Sequence, residues 1–478
     1  MARRLFVDGV EDRTRTFGLP ARPLAVFALS FAIVEIVEAI FRRHAIEGVY
    51  FQGLTSETLM QSVSLRELRA APLQSLWYLH VQPPVTNLIR AVLVAFHRGE
   101  SWDDVIRGVD RDLNHVWALA AAALAMLLDT WLRRLRVPGA LAALLALGWL
   151  LLPASFAYAT LMDGTLLSSL FTTWVFYETW RLASTDGGSV GRLSAAVLLV
   201  YFTRSLFQWP FVLVMLASLV LLRVPRRQLV SFAAMVGLTV GLYSLKQDYL
   251  FGTVSTSTLQ GTNLTRSIGA DCGSIEPQPP AHPARLTAPV LTEPRKLDGS
   301  QNFNHVDRLS VERQLTACYR RKLAQTTLGA LAATYRENFD IFLEPSSQYS
   351  RNVIADRLPW RAQADWIFSG WRLRWLALGA LSLSAWQSRR RLRAALAVLL
   401  PVAYVLAVSI VGERGENIRF KFFVEPTLFV LVAAQLHRVA RQGAALVTGA
   451  ATARAAGAAR RPAPPLLDRV PAAGPAQR

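Results

Sequence analysis

Residues 23–41 read PLAVFALSFAIVEIVEAIF, an apolar run of nearly the length that a transmembrane helix needs. The residues before it carry charges of both signs and no A-x-A cleavage site, so we expect a retained span rather than a removed signal peptide. Of the 478 residues, 52% are hydrophobic, and the mean hydropathy is +0.28, which is too apolar for a soluble protein of this size. The sequence predicts an all-α polytopic membrane protein.

Further apolar runs bring the expected number of transmembrane helices to about ten. Two of them are short and are interrupted by Arg204 and Pro210. Residues 85–98 are too short to cross and contain Arg90, so we expect an interfacial helix there. The ten predicted spans are 23–41, 114–131, 139–158, 164–181, 193–207, 208–223, 229–246, 370–387, 394–411 and 421–437.

The formal charge of +19 comes largely from arginine clusters between the apolar runs. Such clusters are typical of cytoplasmic loops, so we expect both termini inside the cell and no nucleic-acid partner. Composition rich in Ala, Leu and Arg favours a bacterial inner (cell) membrane. The expected regions are a cytoplasmic N-terminus (1–22), a transmembrane module (23–246) with an external loop (42–113), an external region of loops and helix (247–369), the last spans (370–437) and a disordered cytoplasmic tail (438–478).

Cys272 and Cys318 are the only cysteines, and both lie in the predicted external region. Neither has a CxxC or His-rich neighbourhood, which disfavours metal binding by thiolate. In an oxidising outer compartment a Cys272–Cys318 disulfide is plausible, and two separate thiols are the alternative.

Three segments carry a family resemblance through their order and their predicted external position. SLWYLHVQPP (75–84) places His80 and Gln82 before Pro-Pro, YATLMDGTLLSS (158–169) places Asp163 before an apolar run, and GENIRFKFF (415–423) places an Arg-aromatic pair before the last span. Together they resemble the C-type (GT-C) integral-membrane glycosyltransferases, which include protein O-mannosyltransferases and aminoarabinose lipid transferases. The resemblance covers residues 20–225 and 370–437.

The resemblance implies inverting transfer of a sugar from a polyprenyl phosphate to a glycan, lipid or protein acceptor outside the membrane. One carboxylate takes the acceptor's proton, and a divalent cation, Mg or Mn, could assist. Many members carry an Asp-Glu pair in the first external loop, and this chain does not. Of Glu47, Glu57 and Glu67 we favour Glu57, because Ser56 could cap a helix there; a helix-dipole partner is the alternative role.

Asp163 could hold the cation or position the acceptor, or it could simply cap the helix that follows it. Arginine binds phosphate through a bidentate fork, which makes Arg419 the first candidate for the donor phosphate; snorkelling at a helix end is the alternative. His80 is expected to bind substrate rather than transfer a proton, or to be a structural hydrogen bonder. The complete set of predicted substrate-binding residues is His80, Gln82, Lys246, Arg204, Glu416, Arg419 and Lys421.

Two other classes of function remain open. A lipid or anionic-solute transporter or flippase would more often place ionisable residues deep inside its spans, whereas most polar residues here gather outside. A noncatalytic assembly protein of the same fold would lack the catalytic base.

Overall fold

The computed structural model describes residues 21–43, 56–97, 99, 101–160, 163–184, 187–278, 286–348, 361–368 and 389–459. These residues form helices without any strand, and their only β-type pairing is one bridge between Arg295 and Gln301. The prediction of an all-α chain is confirmed for this part of the molecule.

The first half contains eleven α-helices in the described residues. They are α1 (Ala21–Arg43), α2 (Leu65–Ala70), α3 (Pro72–Trp77), α4 (Val85–Val94), α5 (Trp102–Arg134), α6 (Gly139–Leu150), α7 (Pro153–Thr160), α8 (Thr165–Ser184), α9 (Val190–Tyr201), α10 (Trp209–Leu221) and α11 (Arg226–Phe251).

The second half begins with the region predicted to be external, 247–369, and ends with two long helices. Its described α-helices are α12 (Gln260–Ser267), α13 (Pro289–Thr292), α14 (Asp307–Gln325), α15 (Leu328–Leu343), α16 (Arg361–Phe368), α17 (Arg389–Gly412), α18 (Asn417–Phe420) and α19 (Glu425–Ala459). The predicted span 370–387 lies outside the described residues.

Four described helices, α1, α5, α11 and α17, are long and apolar enough to cross a membrane. The number rises to six if two bent pairs, α6 with α7 and α18 with α19, each count as one span. The helices α4, α9 and α10 are apolar but shorter. The findings therefore agree with a membrane-embedded all-α protein and do not establish ten spans.

Helix α5 is the central element, because it packs against α1, α6, α7 and α8. Ser101 caps its first turn by accepting a hydrogen bond from the backbone N–H of Asp104, and Arg133 and Arg134 lie in its last turn. The cap at Ser101 satisfies a backbone N–H at the start of the helix, and the positive charges of Arg133 and Arg134 interact favourably with the negative end of the helix dipole. The helix therefore begins at Trp102, twelve residues before the predicted span 114–131.

The predicted span 139–158 is broken. Helices α6 and α7 meet at an angle of 61°, and Pro153 is the first residue of α7. Proline has no backbone N–H and clashes with the preceding turn, so it starts a helix more readily than it continues one. Helix α7 ends at Thr160, three residues before Asp163 in the chain.

Helix α4 is amphipathic, with its polar face buried and its apolar face partly exposed. Its inner face buries Asn87 and Arg90, whereas Leu88 and Val92 are about half exposed. An outward apolar face suits an interfacial position, which the sequence predicts for this segment.

Helix α19 continues to Ala459 and so enters the stretch predicted as a disordered tail. Its first turns are buried against α5 and α8, whereas the described residues from Arg441 to Ala444 are exposed. The many alanines of 438–459 and the absence of proline there favour the helix.

Candidate functional site

A cluster of charged side chains forms where five separate segments meet. Asp163 precedes α8, Arg204 lies between α9 and α10, Arg266 is in the last turn of α12, Glu413 and Glu416 lie between α17 and α18, and Arg419 is on α18. We call these six residues the charged cluster. Except for Arg266 and Glu416, each is at most 9% exposed.

Arg419 is the centre of the cluster. Its Nη1 donates to Asp163 Oδ2 at 2.7 Å, and its Nη2 donates to Glu416. Asp163 also accepts from the backbone N–H and the hydroxyl of Thr165, at 3.0 and 2.8 Å. Asp163 thus caps the start of α8, which is the alternative role given to it from the sequence, and it also holds Arg419. Its predicted role toward a cation or the acceptor stays a prediction.

Arg204 and Arg419 contact the same aromatic ring. The two guanidinium carbons are 5.4 and 5.3 Å from the ring centroid of Phe420. Arg204 Nη1 donates to Gln61 Oε1 at 3.1 Å, which links the predicted first external loop to the cluster. Buried guanidinium groups around one ring suit a phosphate, since each can donate two parallel hydrogen bonds.

Arg266 forms the outer edge of the cluster. Its Nη1 is 3.2 Å from Glu413 Oε1 and 3.6 Å from Glu416 Oε1. The side chain of Arg266 is 42% exposed, whereas that of Glu413 is 2% exposed. The cluster is therefore exposed to solvent at Arg266 and buried at Glu413.

The two glutamates of the cluster differ in their affinity for protons. Burial, together with the nearby charge of Glu416, raises the pKa of Glu413 to about 7. Burial also opposes ionisation of Glu416, but Arg419, Arg204 and Arg266 outweigh it and lower the pKa of Glu416. At neutral pH Glu416 is ionised, and Glu413 is close to half protonation.

Glu57 lies in a different network, the Glu57 network, which also contains Arg90 and Lys296. Its carboxylate accepts from Arg90 Nη2 at 2.8 Å and from the backbone N–H groups of Leu65 and Leu297, at 3.0 and 3.2 Å. The expected helix at Ser56 is absent: residues 56–61 form turns, and α2 begins at Leu65. The carboxylate instead accepts from the first backbone N–H of α2, at Leu65, and links that helix start to Leu297.

Lys296 completes the Glu57 network from the external region. Its Nζ donates to the carbonyl of Glu57, to that of Leu59 at 2.9 Å and to Ser62 Oγ at 3.0 Å. Burial lowers the pKa of Lys296 to about 8. The predicted catalytic role of Glu57 stays a prediction, while its visible contacts join two segments of the chain.

His80 is completely buried, and its ring is held from both sides. Nε2 donates to the carbonyl of Asn304 at 2.9 Å, so Nδ1 accepts from the hydroxyl of Thr258 at 2.8 Å. Burial lowers the pKa of His80 to about 3, which keeps the ring neutral. His80 and the buried Gln82 are thus parts of the packed wall between the first loop and the external region.

The two predicted lysines have partners other than the members of the charged cluster. Lys246 Nζ is 3.5 Å from the carbonyl of Leu79 and 4.9 Å from the ring centroid of Tyr243. Lys421 is completely buried, and its Nζ donates to the carbonyl of Phe342 at 3.0 Å. Of the predicted binding residues, the structure brings Arg204, Glu416 and Arg419 together with Asp163.

The structure contains a disulfide between Cys272 and Cys318, with the Cα atoms 6.0 Å apart. It joins the segment after α12 to α14. A second link between these helices is Glu312, which accepts from the backbone N–H and the hydroxyl of Thr262, at 2.8 and 2.6 Å. Both links hold α12, and hence Arg266, in place.

Sequence reasoning missed Gln61, Arg266 and Glu413. Glu413 lies two residues before the GENIRFKFF segment, so its signal was proximity in the chain to a segment that carries the family resemblance. Arg266, the penultimate residue of the QGTNLTRS helix, and Gln61 both lie outside the three segments that carry the resemblance.

No group of three or more His, Cys, Asp or Glu side chains suited to a metal ion occurs among the described residues. The carboxylates of the cluster are paired with arginines instead. The predicted divalent cation stays a prediction.

No family model, curated protein or solved structure matches this chain. The function is therefore inferred from the residues and their geometry alone.

Proposed function

We propose that this chain is an integral-membrane glycosyltransferase of the GT-C type. It moves a sugar from a polyprenyl phosphate to an acceptor on the extracytoplasmic side of a bacterial inner membrane. The observation that carries the proposal is the charged cluster, in which Arg204, Arg266 and Arg419 come from three separate segments and lie next to apolar helices.

The arginines suit the phosphate of the donor. A phosphodiester needs positive charge as the sugar leaves, because negative charge then develops on the phosphate oxygens. Arg204 and Arg419 lie against Phe420, in a largely buried place where their charge is weakly screened. In the structure Asp163 and Glu416 neutralise Arg419, and an incoming phosphate would take over part of that pairing.

The position of the cluster suits a lipid-linked substrate. It lies at the ends of α7, α17 and α12, and α17 is one of the helices of membrane-spanning character. A polyprenyl chain can lie along apolar helices while its phosphate reaches the arginines. The disulfide supports an extracytoplasmic position for the neighbouring region, since such bridges persist in oxidising compartments.

The experiment measures the thermal stability of the detergent-purified protein with and without undecaprenyl phosphate. A ligand at 100 times its dissociation constant stabilises its protein by about 2.7 kcal/mol. We expect this stabilisation in the wild type and its loss in Arg419→Ala. Because Arg419 is buried, Arg266→Ala is a second test at a position that tolerates truncation more easily.

Arg107→Ala is the matched control. Arg107 forms an ion pair with Asp104 at the start of α5, and its side chain is 73% exposed. We expect this variant to keep the stabilisation in full. Folded wild-type protein that is not stabilised by polyprenyl phosphates of any chain length would contradict the proposal and favour the transporter class.

A further inference from the structure

Glu413 has one carboxylate oxygen in use and one without a partner. Oε1 accepts from Arg266 Nη1 at 3.2 Å and from the backbone N–H of Arg414 at 3.1 Å. Oε2 is buried and makes no hydrogen bond. An unpaired buried acceptor is costly, so an oxygen of this kind calls for a functional explanation.

Three other carboxylates proposed from the sequence, Glu57, Asp163 and Glu416, have partners for their oxygens. Both oxygens of Glu57 accept hydrogen bonds within the Glu57 network. Both oxygens of Asp163 accept from Thr165, and one also accepts from Arg419. Glu416 is paired with two arginines, which hold it in the ionised form. Glu413 combines a buried oxygen without a partner with a place in the charged cluster.

The surroundings of Glu413 include charges from every element that packs against it. Arg266 faces it from α12, Arg419 from α18, and Glu416 from the connecting turn. Arg414 pairs with Glu337 of α15, so that charge is partly neutralised. Arg266 anchors one oxygen and thereby fixes the direction of the other.

We infer that Glu413 is the general base that takes the acceptor's proton, an inference that rests on the proposed glycosyl transfer. The acceptor hydroxyl oxygen forms a bond to the anomeric carbon while the bond from that carbon to the phosphate oxygen breaks. The electron pair of the broken bond goes to the phosphate, and the hydroxyl proton goes to Glu413 Oε2. The atoms and electrons of this transfer balance without any further reactant.

The product state provides a test that requires neither the sugar nor the acceptor. Immediately after transfer, the site holds a polyprenyl phosphate beside a protonated Glu413. Binding undecaprenyl phosphate from solution should recreate that state, and the negative phosphate should draw a proton onto Glu413. At pH 7.5 the phosphate, with its second pKa near 6, is already almost fully ionised, so it contributes few protons itself.

The experiment is isothermal titration calorimetry with undecaprenyl phosphate at pH 7.5, in two buffers of different ionisation enthalpy. We expect the wild type to take up roughly 0.5 to 0.8 proton per ligand, because its Glu413, with a pKa of about 7, is about three quarters ionised at pH 7.5 before binding. Glu413→Gln should bind the phosphate with no proton uptake. Glu413→Asp keeps a carboxylate and should retain part of the uptake.

Glu337→Gln is the matched control, since Glu337 is a more exposed carboxylate that pairs with Arg414. It should take up protons as the wild type does. Binding without proton uptake in the wild type, or uptake that persists in Glu413→Gln, would overturn the assignment of Glu413 and leave the phosphate site intact. Absence of any binding would overturn the proposed function itself.

Discussion

Glu57 and Arg90 form an ion pair whose side chains are 0% and 1% exposed. Breaking a buried pair by removing one partner costs roughly 3–5 kcal/mol, because the remaining charge stays buried. We therefore expect Glu57→Gln and Arg90→Met each to lower the stability of the detergent-solubilised protein by about that amount, measured by chemical unfolding. The double variant Glu57→Leu/Arg90→Met should cost clearly less than the sum, since it leaves no unpaired charge.

A folded Glu57→Gln protein of wild-type stability would contradict the structural role of this pair. It would also restore Glu57 as the leading candidate for the general base. The result thus separates the role predicted from the sequence from the contacts that the structure shows.

Glu413 should make stability depend on pH in an unusual direction. Its pKa is about 7 in the folded protein and near 4.5 when unfolded, so between these values the folded state binds more protons. Its contribution to stability is present below pH 4.5 and is lost as the pH rises to about 7. We expect the difference in melting temperature between wild type and Glu413→Gln to change across pH 5–7.5, in favour of Glu413→Gln at the higher pH; identical pH profiles would contradict it.

Four residues of the charged cluster, Asp163, Arg204, Glu416 and Arg419, were predicted from the sequence, but only as individuals. Asp163 and Arg419 were chosen from the segments around them, yet they are 256 positions apart in the chain and their pairing follows from the fold. Glu413 and Arg266 are 147 positions apart, and neither has a distinctive local pattern. Local sequence indicates which residues can do chemistry, and long-range packing decides which of them meet.

At the scale of elements, helix α12 connects the disulfide to the charged cluster. In the chain-entropy treatment, a bridge that closes a loop of 46 residues stabilises a protein by about 4 kcal/mol. We expect Cys272→Ser/Cys318→Ser to lose about that stability or somewhat less. It should also weaken undecaprenyl phosphate binding, because α12 carries Arg266.

The control for this prediction is Asn302→Ala, which removes three hydrogen bonds within the predicted external region but leaves the disulfide and the α12–α14 contacts in place. It should lower stability without weakening binding at temperatures where it is folded. Unchanged phosphate affinity in the folded double serine variant would show that α12 is held by Glu312 and packing alone.

Some element boundaries followed from the sequence, and others did not. The predicted spans 23–41 and 229–246 lie within α1 and α11, because a long apolar run has few alternatives to a helix. The bend between α6 and α7 was missed, although Pro153 stands at the break. A single proline hardly changes the mean hydropathy of a long apolar segment, but it breaks the helix because it has no backbone N–H and clashes with the preceding turn.

For the whole molecule, the distribution of apolar surface supports membrane embedding. Only 17% of the most apolar window of α11 is buried in the protein, and leucines such as Leu238 and Leu245 are about two thirds exposed. A soluble protein rarely exposes a contiguous apolar surface of this size, and a bilayer covers it. The number of spans could not be predicted equally well, because α9 and α10 have only 12 and 13 residues.

The same reasoning gives a testable membrane topology. The positive-inside pattern places Arg227, at the start of α11, in the cytoplasm, whereas the external region contains Asp298. Both side chains are exposed, and both native cysteines are in the disulfide, so single cysteines introduced there are the only reactive thiols expected. In intact cells a membrane-impermeant maleimide should label Asp298→Cys and spare Arg227→Cys until the membrane is opened. Labelling of Arg227→Cys in intact cells, with Asp298→Cys protected, would invert the topology and place the charged cluster on the cytoplasmic side, where a reducing environment disfavours the disulfide.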